Sequence, residues 1–147
     1  MSKDYEPRMH SAEHILNQTM VRMFGCGRCF SAHLNKKKSK CDYHFPRPLS
    51  EEEVRALEQA VNEHIAAGLA VTEEILDRRT AAEVYSLDRL PDNAVSTVRI
   101  VRIGDYDACP CIGEHVANTS EIGTFTIISQ DHADGVLRLR FKLKEAG

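Results

Sequence analysis

The sequence predicts an α+β fold, a single domain over residues 1–147 with a mainly antiparallel sheet packed with helices. Three observations lead there. Two segments carry apolar residues at helical spacing, and the last segment alternates apolar with basic residues as a half-buried strand does. Helical and strand segments also come in mixed order rather than as a regular alternation of the two.

Residues 9–24 read as a helix: Ile15, Leu16, Met20, Met23 and Phe24 recur at three- and four-residue steps, and Gly25 follows. Residues 30–34 and 40–45 read as two short strands joined by a lysine-rich turn, after which Pro46 and Pro48 break the pattern. Ser50 opens the clearest helix. Ser50 and Glu53 have capping-box spacing, Val54, Leu57, Val61 and Ile65 form one apolar stripe, and Gly68 suits the left-handed residue beyond the helix end. Residues 69–76 read as a strand. Thr80 and Glu83 repeat the capping-box spacing and predict a short helix to about Leu87. Residues 95–103 are rich in β-branched side chains and read as a strand, as do residues 124–129, with turn chemistry over 129–135. In the final strand Leu137, Leu139, Phe141 and Leu143 alternate with Arg138, Arg140, Lys142 and Lys144, which leaves one basic face.

Composition narrows the class. With 42% hydrophobic and 28% charged residues the chain can bury a core, which disordered chains cannot. A net charge of −3 excludes a protein coated in positive charge for indiscriminate nucleic-acid binding, though not a local basic strip. No apolar run approaches the roughly 20 residues that span a bilayer, and the polar start lacks a signal-peptide core, so a cytoplasmic protein with reduced thiols is expected. Five cysteines cannot all pair within the chain, which favours metal binding or burial, and seven histidines strengthen the metal reading.

His10 and His14, four residues apart on the first helix, put two imidazoles on one face where they can grip one ion. Cys111 and His115 form a second pair in a segment rich in Pro and Gly that reads as a tight loop after a strand. Three imidazoles and one thiolate are a donor set that suits zinc. The two halves lie about a hundred residues apart, so the whole fold must bring them together.

The order His10-Ser11-Ala12-Glu13-His14, then Cys111-Ile112-Gly113-Glu114-His115-Val116, resembles the editing domain of alanyl-tRNA synthetase. It is also similar to the related threonyl-tRNA synthetase editing domain and the free-standing AlaX editing proteins. Arg99-Ile100-Val101-Arg102-Ile103-Gly104 before the cysteine fits the same pattern, as does Asn118-Thr119-Ser120-Glu121-Ile122-Gly123-Thr124-Phe125 after the second histidine. The resemblance runs from about His10 to Leu143. Ile112 and Glu114 stand where the alanyl branch usually has Gly and Thr.

The resemblance implies a threonyl/alanyl-tRNA synthetase editing-domain-like fold and a zinc-dependent hydrolase that removes a wrong amino acid from the acceptor end of tRNA. The expected substrate is Ser-tRNA(Ala). Editing of Ser-tRNA(Thr) and a non-catalytic, structural-zinc tRNA-binding module are the alternatives. With only nine residues before His10, a free-standing editor acting in trans is expected. One zinc ion would be held by His10, His14, Cys111 and His115. Four protein ligands close a tetrahedral site, so one of the loop pair, Cys111 or His115, is expected to be the variable ligand. Glu114 is the candidate general base, and backbone amides near Gly113 are candidate oxyanion donors. Asn17, Ser31 and His33 are candidates for polarity in the substrate pocket. Lys36, Lys37, Lys38 and Lys40, extended by Arg138 and Arg140, are candidate contacts for tRNA phosphates. Cys26 and Cys29 fit a second zinc site with His33 and Cys41, a redox pair, or inert thiols, and Cys109 is close enough to Cys111 to substitute as a ligand.

Overall fold

The computed structural model describes residues 7–85 and 96–144. Helix α1 spans Pro7–Phe24 and turns Met9, Ala12, Ile15, Leu16 and Met20 wholly inward, a spacing of three and four that buries one stripe. Strands β1 (Ser31–His33) and β2 (Ser39–His44) pair antiparallel around the lysine turn. Helix α2 (Glu51–Ala66) starts at the expected capping box, in which the Ser50 side chain accepts from Glu53 N–H and the Glu53 carboxylate accepts from Ser50 N–H. Gly68 beyond its end has φ +67°, the left-handed conformation predicted there.

Strand β3 (Val71–Asp77) leads directly into α3 (Arg78–Val84). The cap of α3 differs from the sequence expectation. Asp77 occupies it and its carboxylate accepts from Arg79 and Thr80 N–H, so Thr80 is already helical. An Asp placed as the strand ends takes the first orphan donors before Thr80 can. The expected helix end near Leu87, and the start of the next strand at Val95, lie outside the described residues. Strand β4 (Thr97–Ile103) is followed by β5 (Asp107–Pro110), which the sequence reading merged into the loop before Cys111. Its proline is tolerated because it sits at the strand's last position. A 3₁₀ turn at Thr119–Glu121 precedes β6 (Thr124–Ala133) and β7 (Val136–Lys144). Strand β6 continues through residues assigned to a turn, with a register shift between Ile127 and Ser129. The turn itself is only Asp134-Gly135, both at positive φ, the two-residue hairpin geometry.

The strands form two antiparallel sheets, ordered β1-β2-β7-β6 and β3-β4-β5. Leu137, Leu139 and Phe141 on β7 are fully buried and meet α1 and α2 in the main core. Ala81, Val98 and Ile100 form a smaller core under α3. The second sheet is sewn to α2 through Thr119, whose hydroxyl is 2.9 Å from Leu69 N and about as close to the carbonyls of His64 and Ile65. No helix among the described residues is long and apolar enough to cross a membrane.

Candidate metal centre

The buried stripe of α1 fixes where its next face points. His10 and His14 leave the helix toward the end of β5, where Cys111 follows the strand and His115 follows four residues later. One donor atom from each of His10, His14, Cys111 and His115 lies within 4.8 Å of all the others. His10 Nε2 is 3.2 Å from Cys111 Sγ, and the rings of His10 and His115 stack at 4.2 Å.

The outer partners orient the rings. His10 Nδ1 is 3.3 Å from the Glu114 carbonyl oxygen, which can only accept, a contact that favours the tautomer leaving Nε2 available as a ligand. His14 Nδ1 faces Asp107 Oδ2 at 3.5 Å. Asp107 itself accepts from Gln18 and, through both oxygens, from Arg28. His115 Nδ1 pairs with Ser11 Oγ at 3.0 Å, and that oxygen also accepts from Val116 N–H. Carboxylate, carbonyl and hydroxyl partners on the far nitrogen are what orient ligating histidines.

His115 Nε2 is buried with no hydrogen-bond partner. An orphaned ring nitrogen beside a thiol and two further imidazoles fits a borderline-soft cation, and zinc suits three nitrogens and one sulfur. Ionisation agrees. Burial pushes the Cys111 thiol up, but the imidazoles of His10, His115 and His14 gathered around it outweigh that and hold the pKa at about 3. Burial lowers His115 to about 4 against the pull of Cys111. Burial also opposes charge on His14, yet Asp107, Cys109 and Cys111 raise it well above the ordinary value. Burial works against the Asp107 anion, but His14 and Arg28 keep it at about 2.

His10, His14 and Cys111 line a cleft of about 780 Å³. Asn17 and Gly113 line it, but Ser31 and His33 do not. Strand alternation is the reason: Phe30, Ala32 and Leu34 face the cleft, and their neighbours point to the other side. Asn17 is committed, its Oδ1 accepting from Tyr43 Oη at 2.6 Å and from Cys29 N–H. The Gly113 amide, an expected oxyanion donor, points at Cys111 Sγ at 3.4 Å instead. The Glu114 side chain is exposed and outside the cleft lining, so its placement does not suit a general base. Cys109 Sγ lies 3.6 Å from His14 Nδ1, on the far side of that ring from the nitrogen turned to the other ligands. Neither Cys26 nor Cys29 forms a disulfide; Cys26 is directed at the Met20 carbonyl and Cys29 at Glu13, and Cys29 and Cys41 group with Glu13 rather than with Cys26 and His33.

Lys36, Lys37 and Lys38 are exposed at the hairpin tip and Lys40 is half-buried. Arg138 is held by both oxygens of Asp42, and Arg140 pairs with Asp131. Two of the four basic side chains read from β7 are therefore matched by cross-strand carboxylates that the alternation of β7 alone does not reveal.

Four residues escaped the sequence reading: Glu13, Asp107, Ser11 and Arg99. Arg99 reaches from β4 to donate to the Cys111 and Gly113 carbonyls while Glu73 holds its Nε. Glu13 was legible as the acid between the two histidines. Asp107 carries no local signal, and Arg99 lay in a segment that fits the family pattern without a role of its own.

Fold and site together define a class: an α+β domain in which three histidines and a cysteine that could hold a metal ion meet between the first helix and a distant strand end. The family described as the threonyl and alanyl tRNA synthetase second additional domain matches residues 98–140, the stretch that carries Cys111 and His115. The chain is 38% identical to an alanine–tRNA ligase of Hyperthermus butylicus over 137 residues, 89% of this chain and 15% of that protein. It is 32% identical to that of Treponema pallidum over 94% of this chain and 23% of the ligase. It is 34% identical to that of Leptospira biflexa over 82% of this chain and 13% of the ligase. The chain thus spans less than a quarter of the length of these relatives. It belongs to the family of the threonyl and alanyl tRNA synthetase editing domains.

Proposed function

We propose that this domain is a zinc-dependent deacylase that hydrolyses the ester of mischarged tRNA, with Ser-tRNA(Ala) as its first substrate. The observation that carries the reading is the convergence of donor atoms from His10, His14, Cys111 and His115 within 4.8 Å of one another, with the Nδ1 atom of each histidine tied to an outer partner. A zinc ion held by these four residues would supply Lewis-acid polarisation of the ester carbonyl. The chain's own residues do the rest. Ser11, Asp107 and the Glu114 carbonyl hold the rings in place, and Arg99 holds the loop that carries Cys111. Phe30, Val84 and Ile112 offer exposed apolar surface along the cleft, suited to the face of a terminal nucleobase. The exposed lysines of the hairpin tip suit acceptor-stem phosphates.

The test is serine release from Ser-tRNA(Ala) and Ser-tRNA(Thr), with Ala-tRNA(Ala) as control, with and without a chelator. Release from Ser-tRNA(Ala), with the correct ester spared and activity lost on chelation, is expected. Release from Ser-tRNA(Thr) alone would reassign the substrate. Salt-sensitive tRNA binding without release would replace the deacylase with a binding module, the reading that a closed set of four protein ligands favours.

A further inference from the structure

The cleft holds one carboxylate that no role above uses. Glu13 lies between His10 and His14 on α1, its side chain only 4% exposed. It is the only acidic residue lining the cleft among the described residues. Its Oε1 is 3.8 Å from His10 Nε2 and 3.8 Å from His14 Nε2, the two nitrogens turned toward the metal ligands. Its Oε2 accepts from the Cys29 thiol at 3.3 Å, which fixes the carboxylate plane so that Oε1 faces the histidines. A buried carboxylate has no place in an apolar core without such partners. In zinc peptidases the same arrangement, a glutamate beside two histidines one helical turn apart, accepts the proton of the attacking water. That chemistry needs only the local helix geometry, which α1 reproduces.

We propose that Glu13 is the catalytic proton acceptor of this site; the inference rests on the deacylase reading. Water between Glu13 and the scissile ester forms a bond from its oxygen to the aminoacyl carbonyl carbon, and one of its protons passes to Oε1. The carbonyl re-forms as the bond from that carbon to the ribose oxygen breaks. The departing ribose oxygen takes the proton back from Glu13. The products are a free amino acid and a tRNA with its ribose hydroxyl restored, and Glu13 returns to its carboxylate form. The other candidates are placed less well: Glu114 lies outside the cleft, and the Cys109 thiol faces His14 Nδ1 and the Pro110 carbonyl.

The experiment compares wild type, Glu13→Gln and Glu13→Ala for three readouts: zinc affinity by competition with a chromophoric chelator, binding of a non-hydrolysable seryl-amide analogue of the tRNA terminus, and single-turnover serine release. Glu13→Gln is expected to keep zinc affinity and analogue binding within a few-fold while release slows about 10²–10⁴-fold. Added formate is expected to restore part of the rate to Glu13→Ala, since a small carboxylate can occupy the vacated space. Glu13→Asp, which keeps the carboxylate, is expected to retain more activity than Glu13→Gln if the glutamine variant folds poorly. Undiminished release by Glu13→Gln overturns the proposal, and so does loss of zinc in proportion to loss of rate. An inactive wild type overturns the deacylase reading and this inference with it; an active wild type with an unaffected Glu13→Gln overturns the inference alone.

Discussion

The Arg99 guanidinium and the Gly113 carbonyl oxygen lie 2.7 Å apart, and the same Nη1 reaches the Cys111 carbonyl at 3.1 Å. One side chain from β4 thereby clamps both ends of the turn that presents the thiolate. Arg99→Ala is expected to weaken zinc binding about 10–100-fold, the range for outer-shell partners, with the helical signal unchanged. Glu73→Gln, which loses only the Nε anchor, is expected to weaken it less. Chelator competition on both variants checks the order.

Cys111→Ser and His115→Ala remove donors themselves, so each is expected to cost more zinc affinity than Arg99→Ala. Zinc content after gel filtration, measured beside circular dichroism, separates loss of metal from loss of fold. In the metal-free protein the Cys111 thiol, held at about 3 by its histidine partners, is expected to react with an alkylating reagent at pH 6. Zinc is expected to protect it.

The two basic regions are expected to differ in how they meet tRNA. Neutralising Lys36, Lys37 and Lys38 together is expected to lower the slope of log K against log salt by nearly one for each phosphate that is no longer matched by a lysine. Arg138→Ala and Arg140→Ala are expected to change the slope little, because each guanidinium is already matched by Asp42 or Asp131. Filter binding of deacylated tRNA over a salt series reads both.

Asp42 gives a pH dependence of known sign. Its hydrogen bonds from Arg138 hold its pKa below the ordinary carboxylate value. A depressed folded-state pKa stabilises the native state above the unfolded value of about 4, and that contribution disappears as pH falls through the folded value. Urea midpoints of wild type and Asp42→Asn are expected to differ at pH 7, and the difference is expected to shrink as pH falls below the ordinary carboxylate value and through the depressed one.

In the core, Phe141 is fully buried on β7 and its ring lies 5.1 Å from that of Phe125. Phe141→Ala is expected to cost about 3–5 kcal/mol, checked by urea denaturation.

Elements whose signal is local were legible from the sequence. The α2 capping box, the stripe of α1 and the alternation of β7 depend on neighbours within one or two turns, and each formed where it was read. The two halves of the candidate cluster were legible for the same reason: His10 and His14 are neighbours on a helix, Cys111 and His115 neighbours in a loop. What failed depended on partners far along the chain. Ser31 and His33 were assigned to the pocket because strand register decides the face, and register comes from β2. Arg138 and Arg140 read as free positive charge because Asp42 and Asp131 come from other strands. The cap of α3 was misplaced because Asp77, three residues before Thr80, already accepts from the Arg79 and Thr80 amides and starts the helix there.

The two ligand pairs join points 101 residues apart along the chain, from His10 to Cys111. A metal held there would act as a detachable staple. It would restrict the unfolded chain as a disulfide closing a loop of that length does, a constraint worth about 4–5 kcal/mol on chain-entropy grounds. Metal supply would then set how long the molecule survives a protease, and scarcity would shorten its lifetime even where no substrate is present.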